Sequence, residues 1–139
     1  MNTNSNTAQM EDTKAKLSTL WVFLLFNMVY ADIYAFMYPG FLQQIMTGNI
    51  EGTKVTPGFL LIAAGVTEIS IAMVFLSRLL KHRVNRWANI IGGVITILWV
   101  IGGGSNNMLH AIFFTSVEVV CSLVIIGLAW KWHNPEAQS

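Results

Sequence analysis

The sequence predicts an all-α fold, a four-helix transmembrane bundle with a short outer interfacial helix, and three observations lead to this prediction. The 139 residues have a mean hydropathy of +0.56 and only 11% of them are charged, whereas charged residues make up about a quarter of a soluble domain. Four apolar stretches reach or approach the roughly 20 residues that cross about 30 Å of hydrocarbon. Lys and Arg residues lie at the ends of these stretches or between them.

The predicted transmembrane domain covers residues 17–132. Its four spans are residues 17–38, 57–80, 87–104 and 109–130. The flanking residues 1–16 and 133–139 are predicted to be cytoplasmic tails. The first tail is rich in Asn and Thr and lacks the apolar core of a signal peptide, so it is expected to be disordered.

The third span is the least apolar, because it contains Asn89, Gly92, Gly93 and Thr96. Small and polar side chains let helices approach each other closely, so this span is predicted to be the most interior one. Between spans one and two, apolar residues in the segment 41–46 recur at helical spacing. This pattern predicts a short helix lying on the outer membrane surface.

The orientation of the bundle is predicted from the basic residues. Seven of the eight Lys and Arg residues fall on one side of the predicted spans, and only Lys54 falls on the other. Cytoplasmic loops collect Lys and Arg. We therefore expect a multi-pass protein of the cytoplasmic membrane, with both termini and the segment 78–86 inside and the loops 39–56 and 102–108 outside.

Three carboxyl groups fall within the predicted spans: Asp32, Glu68 and Glu118. An acid at the centre of a span costs about 2.5 to 3.5 kcal/mol on insertion scales, so each needs a polar environment. Each also has small or polar companions at helical spacing, a pattern typical of faces turned into a bundle. The sequence therefore predicts that the acids converge on one cavity in the outer half of the bilayer. Further residues expected to contribute to it are Asn27, Tyr30, Tyr34, Asn89, Thr96, His110 and Thr115.

The chemistry expected of this cavity is proton or cation binding. Apart from Arg78, two residues before the end of span two, no Lys or Arg lies inside a span to neutralise the acids, so they should share protons, water or a bound cation. A protonated carboxyl that only hydrogen-bonds across helices is the structural alternative. Metal-ligand spacing, a nucleophile elbow and a dinucleotide fingerprint are absent from the sequence, and the single Cys121 excludes CxxC chemistry. No cofactor is indicated.

Three strings carry a resemblance to a known family: YADIY, EISIAMVFLSRLLKHRVNRWANIIGG and AWKW. They resemble a family of small bacterial and archaeal membrane proteins with no assigned function. More distantly, Gly65 and Glu68 in the second span are similar to the DoxX-like superfamily of four-helix membrane proteins. That similarity implies the same bundle topology and, for some members, association with quinone-linked oxidoreductase complexes. It implies no catalytic residue.

Three classes of function remain open from the sequence. The first is a bundle, expected to be oligomeric, whose acids line a protonatable cavity for a small or lipophilic ligand or a cation. The second is an accessory subunit of a larger membrane complex of the quinone-linked type. The third, less favoured, is a membrane enzyme that uses paired carboxyls as general acid and base on a lipophilic substrate. The expected surroundings are the lipid bilayer, and a net charge of +1 gives no basic excess for nucleic acid.

Overall fold

The computed structural model describes residues 2–50, 52–103 and 108–132. Within these residues the chain forms α-helices joined by short connections and one small antiparallel hairpin. The elements are α1 (Asn2–Met37), α2 (Phe41–Met46), β1 (Asn49–Ile50), β2 (Thr53–Lys54), α3 (Pro57–Leu79), α4 (His82–Gly102) and α5 (Leu109–Lys131).

Four of the described helices, α1, α3, α4 and α5, are long and apolar enough to cross a membrane. This confirms the predicted all-α fold. In lipid only helices or closed barrels satisfy every backbone polar group internally. Continuous apolar stretches of this length are therefore expected to form α-helices. The short helix predicted over residues 41–46 is present as α2. It follows Gly40, whose φ is +85°.

The four long helices pack as a ring, in which α1 and α4 each contact both α3 and α5. The Arg78 to Arg86 segment joins α3 to α4 at one end, which we call the basic end. His82 Nε2 lies 3.2 Å from the Trp132 carbonyl oxygen, so the C-terminus of α5 is at the basic end as well. At the opposite end the rings of Tyr38 and His110 lie 5.8 Å apart, which brings the end of α1 beside the start of α5.

Helix α1 begins at Asn2, whereas the sequence predicts a disordered tail up to residue 16. Two ion pairs at helical spacing link neighbouring turns there, Lys14 Nζ to Glu11 Oε1 at 3.0 Å and Lys16 Nζ to Asp12 Oδ2 at 2.6 Å. Pairs between neighbouring turns stabilise a helix by about 0.2–0.5 kcal/mol each. The prediction for the tail 133–139 lies outside the described residues, as do residues 104–107 of the loop after α4.

Tight helix contacts in the bundle depend on two adjacent glycines of α4. A Cβ atom at Gly92 would lie 3.3 Å from the Trp21 ring, and one at Gly93 would lie 2.8 Å from Ile126 Cγ1. Together with Asn85, Asn89 and Thr96 they form the buried face of α4. The small residues of the third span thus allow neighbouring helices to pack closely against α4, as its sequence predicts.

The hairpin of β1 and β2 is an element that the sequence analysis did not predict. Its strands contain two residues each and pair Asn49 with Lys54 and Ile50 with Thr53. Strands this short carry no alternation of apolar and polar residues from which a strand could be recognised. Helix α3 then begins after Thr56, whose side chain accepts a hydrogen bond from the Phe59 backbone N–H.

Candidate functional site

A small polar pocket lies between α1, α4 and α5, toward the end of the bundle opposite the basic end. Its volume is about 160 Å³. It contains two of the three carboxyl groups singled out in the sequence. The residues that line it are Met28, Ala31, Asp32, Trp99, Val100, Gly103, Thr115 and Glu118.

The two carboxyl groups occupy different depths of this pocket. Glu118 is 6% exposed, and its Oε1 atom has no hydrogen-bond partner among the described residues. Asp32 is exposed, so it lies at the mouth. Thr115, half-buried, lies one turn before Glu118 on α5 and contributes a hydroxyl group. The pocket therefore offers oxygen ligands at its mouth and at its floor.

Glu68, the third predicted acid, does not line the pocket. It lies on the exposed side of α3, eleven residues from either end of that helix. Ala64 and Gly65, which share its face, are exposed too. Within one chain the structure therefore does not bring Glu68 to the pocket that Asp32 and Glu118 line. Small residues indicate a face suited to close packing, but they do not distinguish the bundle interior from the surface of another molecule.

Asn89 is also separate from the pocket, because its side chain is engaged in a buried hydrogen-bond network nearer the basic end. Its Oδ1 accepts from Trp21 Nε1 at 2.7 Å and from Ser77 Oγ at 3.2 Å. Its Nδ2 donates to Asn85 Oδ1 at 2.7 Å, and Asn85 Nδ2 donates to the Ser77 carbonyl oxygen at 2.6 Å. This network links α1, α3 and α4 and leaves Asn89 no role in the pocket.

The other residues predicted for the cavity lie around it and do not line it. Asn27 donates to the carbonyl oxygen of Phe23 in its own helix. Tyr30 and Tyr34 are about half exposed. His110 stacks near Tyr38 at the end of the bundle. Thr96 is buried and donates to the Gly92 carbonyl oxygen at 2.9 Å.

Trp99 is a pocket residue that the sequence analysis did not single out, because a Trp near the end of a span is ordinarily an anchor at the membrane surface. The signal was present in the helical spacing of α4. Thr96, Trp99, Val100 and Gly103 recur at intervals of three and four residues, the pattern of one helix face. Since Thr96 is buried, the residues that follow it on this face approach the pocket.

The fold and the pocket define a class: small four-helix membrane proteins with a pair of carboxyl groups within the bundle. The model of a family of unknown function (DUF6326) matches residues 7–139. The chain belongs to that family, which confirms the resemblance to small membrane proteins without an assigned function. No curated protein and no solved structure matches the chain. The more distant likeness to DoxX-like proteins stays a prediction.

Proposed function

We propose that the pocket between α1, α4 and α5 binds a small organic cation of the alkylammonium type. The observation that carries this proposal is the joint lining of one cavity of about 160 Å³ by Asp32, Glu118 and Trp99, whose ring also lies 5.8 Å from that of Phe59. Carboxylates attract a cation electrostatically, and an aromatic face attracts it through its quadrupole. The combination is typical of sites that bind ammonium groups.

The charge balance of the pocket supports a cationic ligand. Among the described residues, neither Asp32 nor Glu118 is within ion-pair distance of a Lys or Arg side chain. An uncompensated carboxylate in a low-dielectric region is costly. Asp32 and Glu118 therefore need protons or a bound cation, and the pocket has the volume to admit one.

The size of the pocket restricts the ligand. A volume of 160 Å³ corresponds to about five water molecules, at roughly 30 Å³ each in the liquid. That is smaller than the roughly 300–1,000 Å³ of pockets that hold drug-sized ligands. A methylated ammonium ion fits this space, whereas a quinone headgroup with its tail does not.

Catalysis on a lipophilic substrate receives less support. The larger cavity, about 470 Å³, lies between α1 and α5 and is lined by Leu20, Phe23, Phe113, Ser116, Val117, Val120, Cys121 and Val124. Its lining, as far as the structure describes the chain, includes no carboxyl group. A general acid and base must reach the reacting atoms, so the cavity large enough for such a substrate lacks the groups that the reaction would need.

The proposed location is the cytoplasmic membrane, with both termini inside. Arg78, Lys81, Arg83 and Arg86 all lie at the basic end, and cytoplasmic loops are rich in Lys and Arg. In this orientation the mouth of the pocket at Asp32 faces the outer half of the bilayer. The site would then take its ligand from outside the cell.

The proposed assembly is a homo-oligomer that covers the Glu68 face of α3. A carboxyl group facing lipid at the centre of a span costs about 2.5–3.5 kcal/mol on insertion scales. A second copy supplies an identical carboxyl, and the small residues Ala64 and Gly65 permit close approach of the two helices. The accessory-subunit alternative differs only in which protein provides the partner.

The ligand is tested by titrating the purified full chain in lipid nanodiscs with tetramethylammonium and methylammonium and recording tryptophan fluorescence. Trp99→Phe identifies the part of the signal that comes from the pocket. Asp32→Asn and Glu118→Gln should each weaken binding about tenfold or more, the size of a lost charge-assisted contact. Glu68→Gln is the matched control and should bind as the parent does. Equal affinity in all three carboxyl variants would rule out the proposed site.

A further inference from the structure

Buried polar side chains in the described part of the bundle are nearly all hydrogen-bonded. Ser18 Oγ donates to the Val74 carbonyl oxygen at 2.8 Å. Thr96 and Ser70 donate to carbonyl oxygens one turn earlier in their own helices, and Asn89 belongs to the network already described. A buried polar atom without a partner is therefore exceptional here and requires an explanation such as a bound water or ion.

Two such exceptions are neighbours on α5: Glu118 Oε1 and Ser122 Oγ, neither of which has a partner among the described residues. Ser122 is fully buried and Glu118 is 6% exposed. Residues four apart on a helix have Cβ atoms about 5–6 Å apart on one face. The other unpartnered atoms, Arg86 Nε and His110 Nε2, lie near opposite ends of the bundle.

Glu118 Oε1 and Ser122 Oγ are not hydrogen-bonded to each other, so a species between them would supply both with a partner. If a proton on Glu118 were shared directly with Ser122, the oxygens would be within hydrogen-bond distance, and both would then have a partner. They do not. A third atom that binds both oxygens at once satisfies each of them and also compensates the charge of the carboxylate.

We propose that Glu118 and Ser122 form an inner site for a small inorganic monovalent cation of the Na⁺ class, one helical turn deeper than the ammonium pocket. This inference rests on the proposed function in one respect, since Glu118 also lines that pocket. Hard cations prefer carboxylate, hydroxyl and carbonyl oxygens, and Glu118 and Ser122 provide the first two. Among the described residues no group of three His, Cys, Asp or Glu side chains could hold a metal ion. A transition metal is therefore a poor candidate for this site.

The charges around the site agree with two cations. Asp32 of α1 is the other acid at the pocket. From α4, Gly93 approaches Ser122, since a Cβ added at Gly93 would lie 3.5 Å from the Ser122 carbonyl oxygen. No charged residue lies on that buried face of α4. Two carboxylates balance two monovalent cations: an organic one at Asp32 and an inorganic one at Glu118.

The experiment is thermal unfolding of the full chain in detergent without any organic cation, in a series that exchanges K⁺ for Na⁺ at constant ionic strength. A ligand that binds only the folded protein raises Tm with its concentration. We expect Tm to rise with Na⁺. In Ser122→Ala the Na⁺ concentration for half the effect should increase about tenfold, because one ligand to a charged species is lost.

Ser116→Ala is the matched control, since the exposed Ser116 hydroxyl donates to the Ile112 carbonyl oxygen of its own helix. It should respond to Na⁺ as the parent does. If Ser122→Ala fails to fold, Ser122→Cys keeps the volume and removes the hard oxygen ligand. A Tm that is insensitive to Na⁺, or that changes with pH alone, would overturn the cation assignment in favour of a proton and water. Ammonium binding without an effect of Na⁺ on Tm would contradict only the inner cation site. An effect of Na⁺ on Tm without ammonium binding would contradict only the proposed alkylammonium ligand of the pocket.

Discussion

The indole Nε1 of Trp21 donates a hydrogen bond to Asn89 Oδ1 at 2.7 Å, across the bundle from α1 to α4, and both side chains are fully buried. The polar interior has two parts with different chemistry. Around Asn89 the amide and hydroxyl groups satisfy each other, as a structural network does. Around Glu118 two buried oxygens have no partner in the described part of the chain. The first arrangement holds the helices together, and the second leaves ligand positions open.

We predict that Asn89→Ala destabilises the bundle. The substitution leaves the Trp21 N–H, the Ser77 hydroxyl and Asn85 Oδ1 without their present partner. An unsatisfied buried polar group costs about 1–3 kcal/mol, so the free energy of unfolding should fall by at least that amount. Unfolding in mixed micelles measures it. Asn27→Ala, which removes only a bond to the same helix, is the control, and an equal loss in both variants would contradict a structural role for the network.

We predict opposite outcomes for two Gly→Ala substitutions. In Gly93→Ala the new Cβ lies 2.8 Å from Ile126 Cγ1, whereas in Gly127→Ala no described atom lies within 4 Å. Overpacking of this kind costs about 1–3 kcal/mol, so only Gly93→Ala should lower Tm.

The cause is tested by the double variant Gly93→Ala, Ile126→Ala. It removes Cγ1 and Cδ1 of Ile126, the side-chain atoms nearest to the new Cβ. Part of the lost stability should return relative to the sum of the two single substitutions. Strict additivity would show that the two side chains do not meet.

The architecture could be predicted from the sequence because lipid permits few structures, but the ends of the helices were less accessible. Helix α4 begins at His82, five residues before the predicted span at residue 87. A helix can extend beyond the hydrocarbon core of the membrane. Hydropathy does not detect its polar turns, such as those that contain Arg83 and Arg86. The same reason explains why α1 continues through the polar residues before residue 17.

The candidate site could be predicted only in part. Asp32 and Glu118 were singled out because acids are rare within spans, and Thr115 because helical spacing places it on the face of Glu118. The structure places all three at one pocket. Glu68 was misplaced because periodicity identifies which residues share a face without identifying what that face contacts. The choice between the bundle interior and a partner depends on how four helices rotate against each other, which no single helix encodes.

We predict that the Glu68 face of α3 is a contact between copies of the chain. In a Cys121→Ala background, Ala64→Cys should form a disulfide-linked dimer on mild oxidation in membranes, because small residues at such a contact bring Cα atoms close enough for a disulfide. Leu98→Cys, on the exposed side of α4, is the matched control and should remain monomeric.

The role of the carboxyl in this contact is tested by two further substitutions in the Ala64→Cys chain. Glu68→Gln keeps hydrogen-bonding capacity and should retain cross-linking, whereas Glu68→Leu should reduce it. The reduction should be about threefold or more, since hydrogen bonds between membrane helices are worth about 0.6–2 kcal/mol. Equal cross-linking at Ala64→Cys and Leu98→Cys would argue for random collisions.

The proposed orientation predicts which loops a membrane-impermeant thiol reagent reaches from outside the cell. In a Cys121→Ala chain, Lys54→Cys in β2 should be labelled in intact cells, because the β1–β2 hairpin lies at the end opposite the basic end. Lys81→Cys, between α3 and α4, should be labelled only after the membrane is permeabilised. Both residues are exposed lysines that precede a long helix. A difference in labelling between the two variants therefore reflects the side of the membrane and not the burial of the residue. Labelling of Lys81→Cys in intact cells would show that the orientation is the reverse of the proposed one. The mouth of the carboxylate pocket would then face the cytoplasm.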